Sequence, residues 1–200
     1  MTRAFREHVY KSPDGLDLYA RIYDGDPNRT PLLCLHGLTR NSADFHALLT
    51  ALPDWPAISI DQRGRGQSAY DPDPCRYKPD VYCADMLSLL NGLSLPQVIA
   101  IGTSMGGIMT FILANMRPGL FKAAIINDIG PDVDPAGLRR LGRYVGQAMS
   151  FTDWDAAVAA IQSQGPDIFP DFTTDDWHAF ARNVCEQAPD GTVQFSYDPA

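Results

Sequence analysis

Ser104 sits in Gly102-Thr103-Ser104-Met105-Gly106, with a glycine two residues to either side, between the apolar run 98–101 and an amphipathic pattern over 104–116. A serine hydroxyl is a weak nucleophile until its surroundings help it. On a sharp turn from strand to helix it is exposed, and the helix start offers N–H groups and positive dipole to an oxyanion forming beside it. The flanking glycines fit such a turn, because the backbone there approaches its neighbours too closely to carry side chains. The pattern is G-x-S-x-G after a strand and opening a helix, and the chemistry it points to is acyl transfer through a serine ester. Taken alone, the same residues also fit a tight crossover turn without chemistry.

Two further segments favour the chemical reading. His36-Gly37-Leu38 closes the apolar run Leu32 to Leu35, so a flexible turn leaves a strand where the Leu38 N–H could face Ser104. With the Met105 N–H it would complete an oxyanion hole. His36 lies at the strand end of that loop, which suits an orienting role better than that of a base. The third segment, Asp61-Gln62-Arg63-Gly64-Arg65-Gly66-Gln67-Ser68, follows the next strand. Gly64, Gly66 and Ala69 fit G-x-G-x-x-A, the dinucleotide fingerprint, but that motif needs a helix directly after the turn. Tyr70-Asp71-Pro72-Asp73-Pro74 blocks one, since proline lacks an N–H and restricts its predecessor. Asp61 and Arg63 are therefore expected to brace a turn beside the site, and no cofactor is expected.

The elements that must hold these residues are legible in outline. Leu16, Leu18, Ala20 and Ile22 alternate with polar residues, and Ser12-Pro13-Asp14-Gly15 separates them from His8-Val9-Tyr10, which predicts an N-terminal antiparallel hairpin. Short continuous apolar runs follow at 32–35, 57–60, 98–101 and 123–126, as strands of a parallel sheet buried on both faces require. Helical patterns lie between them, clearest at Tyr82, Met86, Leu89, Leu90 and Leu93. The fold class is thus α/β, with a mostly parallel sheet over 1–130. Residues 131–197 read as an appended helical subdomain, with helices near 135–149, 153–164 and 174–187. Trp154 and Trp177 are candidates to line a substrate pocket between sheet and cap, although aromatic helix residues serve as core more often. Arg139, Arg140 and Arg143 read as a solvated helix face.

Composition bounds the partners. The 200 residues carry 24 acidic against 16 basic side chains, a net charge of −8, and such a surface repels phosphate backbones, so no nucleic acid is expected. No apolar run approaches the ~20 residues that span a bilayer, and charge interrupts the N-terminus before a signal-peptide core could form. Cys34, Cys75, Cys83 and Cys185 show neither CxxC pairing nor zinc-ligand spacing, which suits reduced thiols in a cytoplasmic protein that binds no metal.

Together "HGLTRNSADF", "DQRGRGQS" and "GTSMGG" resemble the α/β-hydrolase fold superfamily in order, spacing and strand context. The resemblance covers residues 5 to about 130 well, and the remainder loosely as a helical cap. It implies Ser104 as nucleophile and the Leu38 and Met105 amides as oxyanion donors. A serine rather than a carboxylate at that position leaves acyl transfer to water. The expected substrate is a small apolar ester, thioester, lactone, or carbon–carbon bond next to a carbonyl.

In this fold the acid and then the histidine follow the serine along the chain. Asp128, ending the run 123–126, is the candidate acid. The histidine after Ser104 is His178, in a helical pattern of the cap, which suits a surface residue rather than a base. The last strands and helices of the fold are not found, so the run 123–126 would form a bare apolar edge. The expectation is therefore a chain belonging to a longer hydrolase, able to self-associate or pair with a C-terminal segment. Two alternatives stand beside it: a catalytically incomplete scaffold acting as a binding or interaction protein, and a cofactor-free lyase or perhydrolase.

Overall fold

A computed structural model describes residues 3–130, 132–135, 137, 139, 145, 146, 148–163 and 169–200. The turn at Ser12-Pro13-Asp14-Gly15 closes a hairpin of β1 (Arg6–Lys11) and β2 (Asp17–Tyr23), with Gly15 at φ 95° and its N–H donating to the Ser12 carbonyl. After the hairpin come β3 (Leu32–Leu35), α1 (His46–Ala51), β4 (Ala57–Ile60), α2 (Pro79–Gly92), β5 (Val98–Thr103), α3 (Met105–Met116) and β6 (Phe121–Asn127). The six strands form one sheet in the order β1-β2-β4-β3-β5-β6. The β1–β2 and β2–β4 pairs are antiparallel, and β4, β3, β5 and β6 run parallel.

β3 and β4 are buried along their whole length, as the continuous apolar runs require. The pleat divides their side chains. Leu33, Leu35, Ile58 and Ile60 join Tyr82, Met86, Met109 and Leu113 from α2 and α3 on one face. Leu32, Cys34 and Ala57 join Phe45 and Leu49 on the other. Each fully buried leucine or isoleucine contributes about 1.5–3 kcal/mol relative to exposure. α3 starts against β5 and runs back across the sheet, and Arg117-Pro118-Gly119 ends it as its composition dictates.

Among the described residues β6 is the last strand of this sheet. Ala123, Ala124 and Ile125 are exposed, and Ile125 keeps 57% of its surface in solvent. The bare apolar edge expected from the sequence is present.

The C-terminal region contains two of the expected helices, α4 (Trp154–Ser163) and α5 (Thr174–Val184). It also contains a three-stranded antiparallel sheet that the sequence reading did not include, formed by β7 (Ser150–Phe151), β8 (Cys185–Gln187) and β9 (Val193–Phe195) in the order β7-β9-β8. The helix expected over 174–187 stops at Val184, because Cys185 turns extended at φ −120°, ψ 161° and pairs with Phe195. The helix expected over 135–149 falls partly outside the described residues, as do Arg140 and Arg143. Residues 145 and 146 form a turn.

Candidate active site

The C-terminal ends of β3, β4 and β5 converge, and each delivers one of the three motifs. Ser104 follows β5 directly and caps α3 at φ 52°, ψ −115°, outside the ordinary regions for an L-residue. Its N–H donates to the Asn127 carbonyl and its own carbonyl accepts from Gly107 N–H, so neighbouring strand and first helical turn hold the strained residue from both sides. A Cβ on Gly106 would collide with the Leu35 carbonyl, and one on Gly107 with the Ile129 side chain. The close backbone approach inferred for the two flanking glycines is real: Gly106 meets β3, and a Cβ on Gly102 would collide with the Gly106 carbonyl.

The loop after β3 lies over the elbow. A Cβ placed on Gly37 would stand 3.8 Å from Ser104 Cβ. Leu38 packs onto the same apolar cluster as Met105. As the first helical residue, Met105 has an N–H with no acceptor inside the helix.

His36 fixes the orientation of the Gly37–Leu38 peptide. It is fully buried; its Nε2 accepts from Gln62 N–H at 3.1 Å and its Nδ1 donates to the Gly37 carbonyl at 2.7 Å. The Gly37 carbonyl and the Leu38 N–H share one peptide plane and point in opposite directions, so fixing the carbonyl fixes the N–H. Both ring nitrogens are used in the neutral form, and burial lowers the imidazole pKa. His36 thus holds the loop and has no lone pair free to act as a base.

The loop after β4 is braced as expected. Asp61 accepts from Ser42 N–H at 2.6 Å and Gln67 N–H at 2.8 Å. Arg63, 1% exposed, binds Asp85 through two nitrogens at 2.8 and 2.7 Å, Asp71 at 2.5 Å and Asp14 at 2.9 Å. Burial disfavours the guanidinium charge, and the three carboxylates more than offset this, raising its pKa. No helix opens on this loop: a short 3-10 turn at Pro74–Arg76 precedes α2, so the dinucleotide reading fails on geometry as it did on proline placement.

Asp128 ends β6 at φ 58°, one strand beyond the serine elbow, in register through Thr103 and Asn127. It is exposed. Trp177 is buried against Val158 and Ala181 and packs edge-on to Phe172 at 5.1 Å, and Trp154 joins the same cluster with Arg182 over its ring at 4.7 Å. Both are core of the C-terminal region, because α4 and α5 bury these faces against each other.

Each of the other histidines is engaged away from the elbow. His46 Nδ1 pairs with Tyr23 OH, His178 faces Asp155 from α5, and His8 stacks on Tyr10 in β1. Among the described residues the Ser104 hydroxyl has no hydrogen-bond partner. Sequence reasoning passed over Asn41, whose side-chain amide donates to the Asn183 carbonyl at 2.6 Å and Ser196 Oγ at 3.1 Å, tying the loop after β3 to the C-terminal region. An asparagine four residues after Gly37 carries no such signal.

Comparison with known proteins agrees with this geometry. The chain is 33% identical over 193 residues to a 3-hydroxybutyrate-oligomer hydrolase of Cupriavidus necator, covering 94% of this chain and 66% of that protein. It is 30% identical to a 2-(acetamidomethylene)succinate hydrolase of Mesorhizobium japonicum, covering 68% of this chain and 49% of the relative. The chain spans less than two thirds of the length of either. A crystal structure of an α/β hydrolase from Novosphingobium aromaticivorans superimposes with a TM-score of 0.94 at 40% identity, over the whole of this chain and 70% of that one. The family model for the alpha/beta hydrolase fold matches residues 30–190, and the chain belongs to that family.

Proposed function

We propose that this chain carries the nucleophile and oxyanion hole of a serine hydrolase, acting on a small aliphatic ester through an acyl-enzyme on Ser104. The observation that carries the reading is the strained Ser104 elbow with the Gly37–Leu38 peptide laid over it. In the acylation step Ser104 Oγ bonds to the substrate carbonyl carbon and gives up its proton to a general base not found among the described residues, while the carbonyl oxygen takes negative charge between the Leu38 and Met105 amides. The carbonyl reforms as the ester C–O bond breaks and the leaving alkoxide takes that proton; water then attacks the acyl ester, releasing the acid and restoring the serine. Asp128 is the residue we assign to the acid position. The hydrolase names of the relatives support the reaction class, and the Cupriavidus relative, named for 3-hydroxybutyrate oligomers, supports a short hydroxyacid ester as substrate. A thioester, a lactone or a carbon–carbon bond next to a carbonyl would use the same step.

A second reading has its own observation. Each of the four histidines is engaged with a partner other than Ser104, and a triad without its base retains roughly 10³- to 10⁴-fold catalysis over water. A scaffold that binds an acyl ligand without turning it over fits this arrangement.

A fluorophosphonate probe and p-nitrophenyl acetate separate the two. The hydrolase reading expects one adduct on Ser104, ester turnover, and loss of both in S104A. A Ser104 that takes no adduct in any preparation, including one with an extended C-terminus, while short-chain acids still bind, selects the scaffold.

A further inference from the structure

Arg65 is 4% exposed and was absorbed neither by the turn bracing of Asp61 and Arg63 nor by the serine elbow. Its Nε donates to the Leu38 carbonyl at 2.7 Å, and its Nη1 to the Gly64 carbonyl at 3.0 Å. The guanidinium lies between two aromatic rings, 5.3 Å from the centre of Tyr77 and 5.9 Å from that of Tyr197. The backbone around it is stitched to the C-terminal strand segment. Arg65 bridges Tyr197, Gly66 N–H donates to the Ser196 carbonyl at 2.8 Å, and Asp198 N–H donates to the Gly64 carbonyl at 2.8 Å. Tyr77 OH closes the ring of contacts on Asp198 at 2.5 Å.

We infer that Arg65 is a positioning residue for the oxyanion hole, locking the Leu38 amide and coupling it to the 196–198 segment of the C-terminal region. The inference rests on the serine-hydrolase reading of Ser104. The physical basis is that two successive peptides of the loop are pinned from opposite sides. His36 holds the Gly37 carbonyl, and with it the Leu38 N–H. Arg65 holds the Leu38 carbonyl, which belongs to the next peptide. With both planes fixed, the Leu38 φ and ψ have no freedom left, and the N–H keeps one direction during charge development. Releasing the second peptide lets the first rotate. A misplacement of about 1 Å at such a donor can cost about 10²-fold in rate. The fork of an arginine serves here because one nitrogen bonds the loop after β3 while another bonds the backbone of its own loop, and the planar group lies over tyrosine faces.

The test compares R65M, R65K and Y197L with the unsubstituted chain by fluorophosphonate labelling of Ser104 and by steady-state hydrolysis of p-nitrophenyl acetate, with each variant's folded fraction measured by near-UV circular dichroism. R65M is expected to label about 10²-fold more slowly per folded molecule and to lose kcat with KM within about twofold. R65K, which keeps one donor for the Leu38 carbonyl, is expected to recover a substantial part of that loss. Y197L, which keeps the guanidinium and removes one stacking face, should lose only a few-fold. A folded R65M that labels at the unsubstituted rate overturns the inference and leaves the Ser104 reading standing. Should R65M fail to fold, wild-type labelling by both R65K and Y197L overturns it equally. An unsubstituted chain that takes no adduct in any preparation, including one with an extended C-terminus, removes the Ser104 reading, and this inference with it.

Discussion

Two consecutive parallel strands of the same sheet end in a non-glycine residue with positive φ, Ser104 after β5 at 52° and Asp128 after β6 at 58°. Their surroundings differ. The β5 end is enclosed by Leu35, Gly37, Gly106 and the Asn127 carbonyl, and the loop over it is held by His36. The β6 end stands at the sheet edge beside exposed Ala123, Ala124 and Ile125. The comparison teaches where strain is over-determined. At Ser104 the packing leaves no relaxed alternative, whereas at Asp128 the restraints among the described residues are the Ser104 N–H on the Asn127 carbonyl and the packing of Ile129 on Gly107.

Substitutions can break this contrast, and the largest effect is expected on the enclosed side. Gly106→Ala places a methyl against the Leu35 carbonyl, a backbone atom that cannot give way, and is expected to cost about 3 kcal/mol in urea unfolding. Ser104→Gly relieves the strained conformation and should stabilise by about 1–2 kcal/mol while abolishing acylation. A neutral outcome would mean that the elbow stores no strain.

The pH dependence of the enclosed side follows from His36. Burial depresses its folded pKa below the ordinary value of 6.5, so the unfolded chain binds more protons, and stability that is full above about pH 6.5 falls as pH drops below it. His46 shifts in the same direction through burial and Arg21. Urea midpoints at pH 7.5 and 5.5 should show the fall, and His36→Asn should flatten it.

On the exposed side the effects are smaller. Asp128→Gly gains about 1 kcal/mol from the left-handed conformation and gives back about half of it in unfolded-state entropy, for a net gain of about 0.5 kcal/mol. Equal gains from Ser104→Gly and Asp128→Gly would erase the distinction between the two strand ends. Ile125→Lys should change stability by less than about 0.5 kcal/mol, since the side chain is 57% exposed. It should also lower self-association in sedimentation velocity, because a charged edge resists strand pairing.

How much was legible follows the range of the forces involved. The strand-helix alternation, the serine elbow and the apolar edge were readable because each is written in a few adjacent residues with a period or a glycine pattern. The β7-β9-β8 sheet was not. Its strands are two or three residues long, too short to show alternation; β8 and β9 form a local hairpin across 188–192, and β7 joins it from a segment far earlier in the chain. Trp154 and Trp177 read as core more readily than as pocket lining, and the packing of α4 on α5 places both in a shared apolar cluster.

By itself the sequence determined the α/β architecture, the turn that carries Ser104 and the loop laid beside it, because glycine placement and apolar periodicity constrain the backbone locally. Only the tertiary structure decided that His36 is pinned in its neutral form, that Arg65 spans from Leu38 to Tyr197, and that Asp128 is held at positive φ. Those facts depend on groups brought together from distant positions, where burial and hydrogen-bond geometry, rather than local preference, set the outcome.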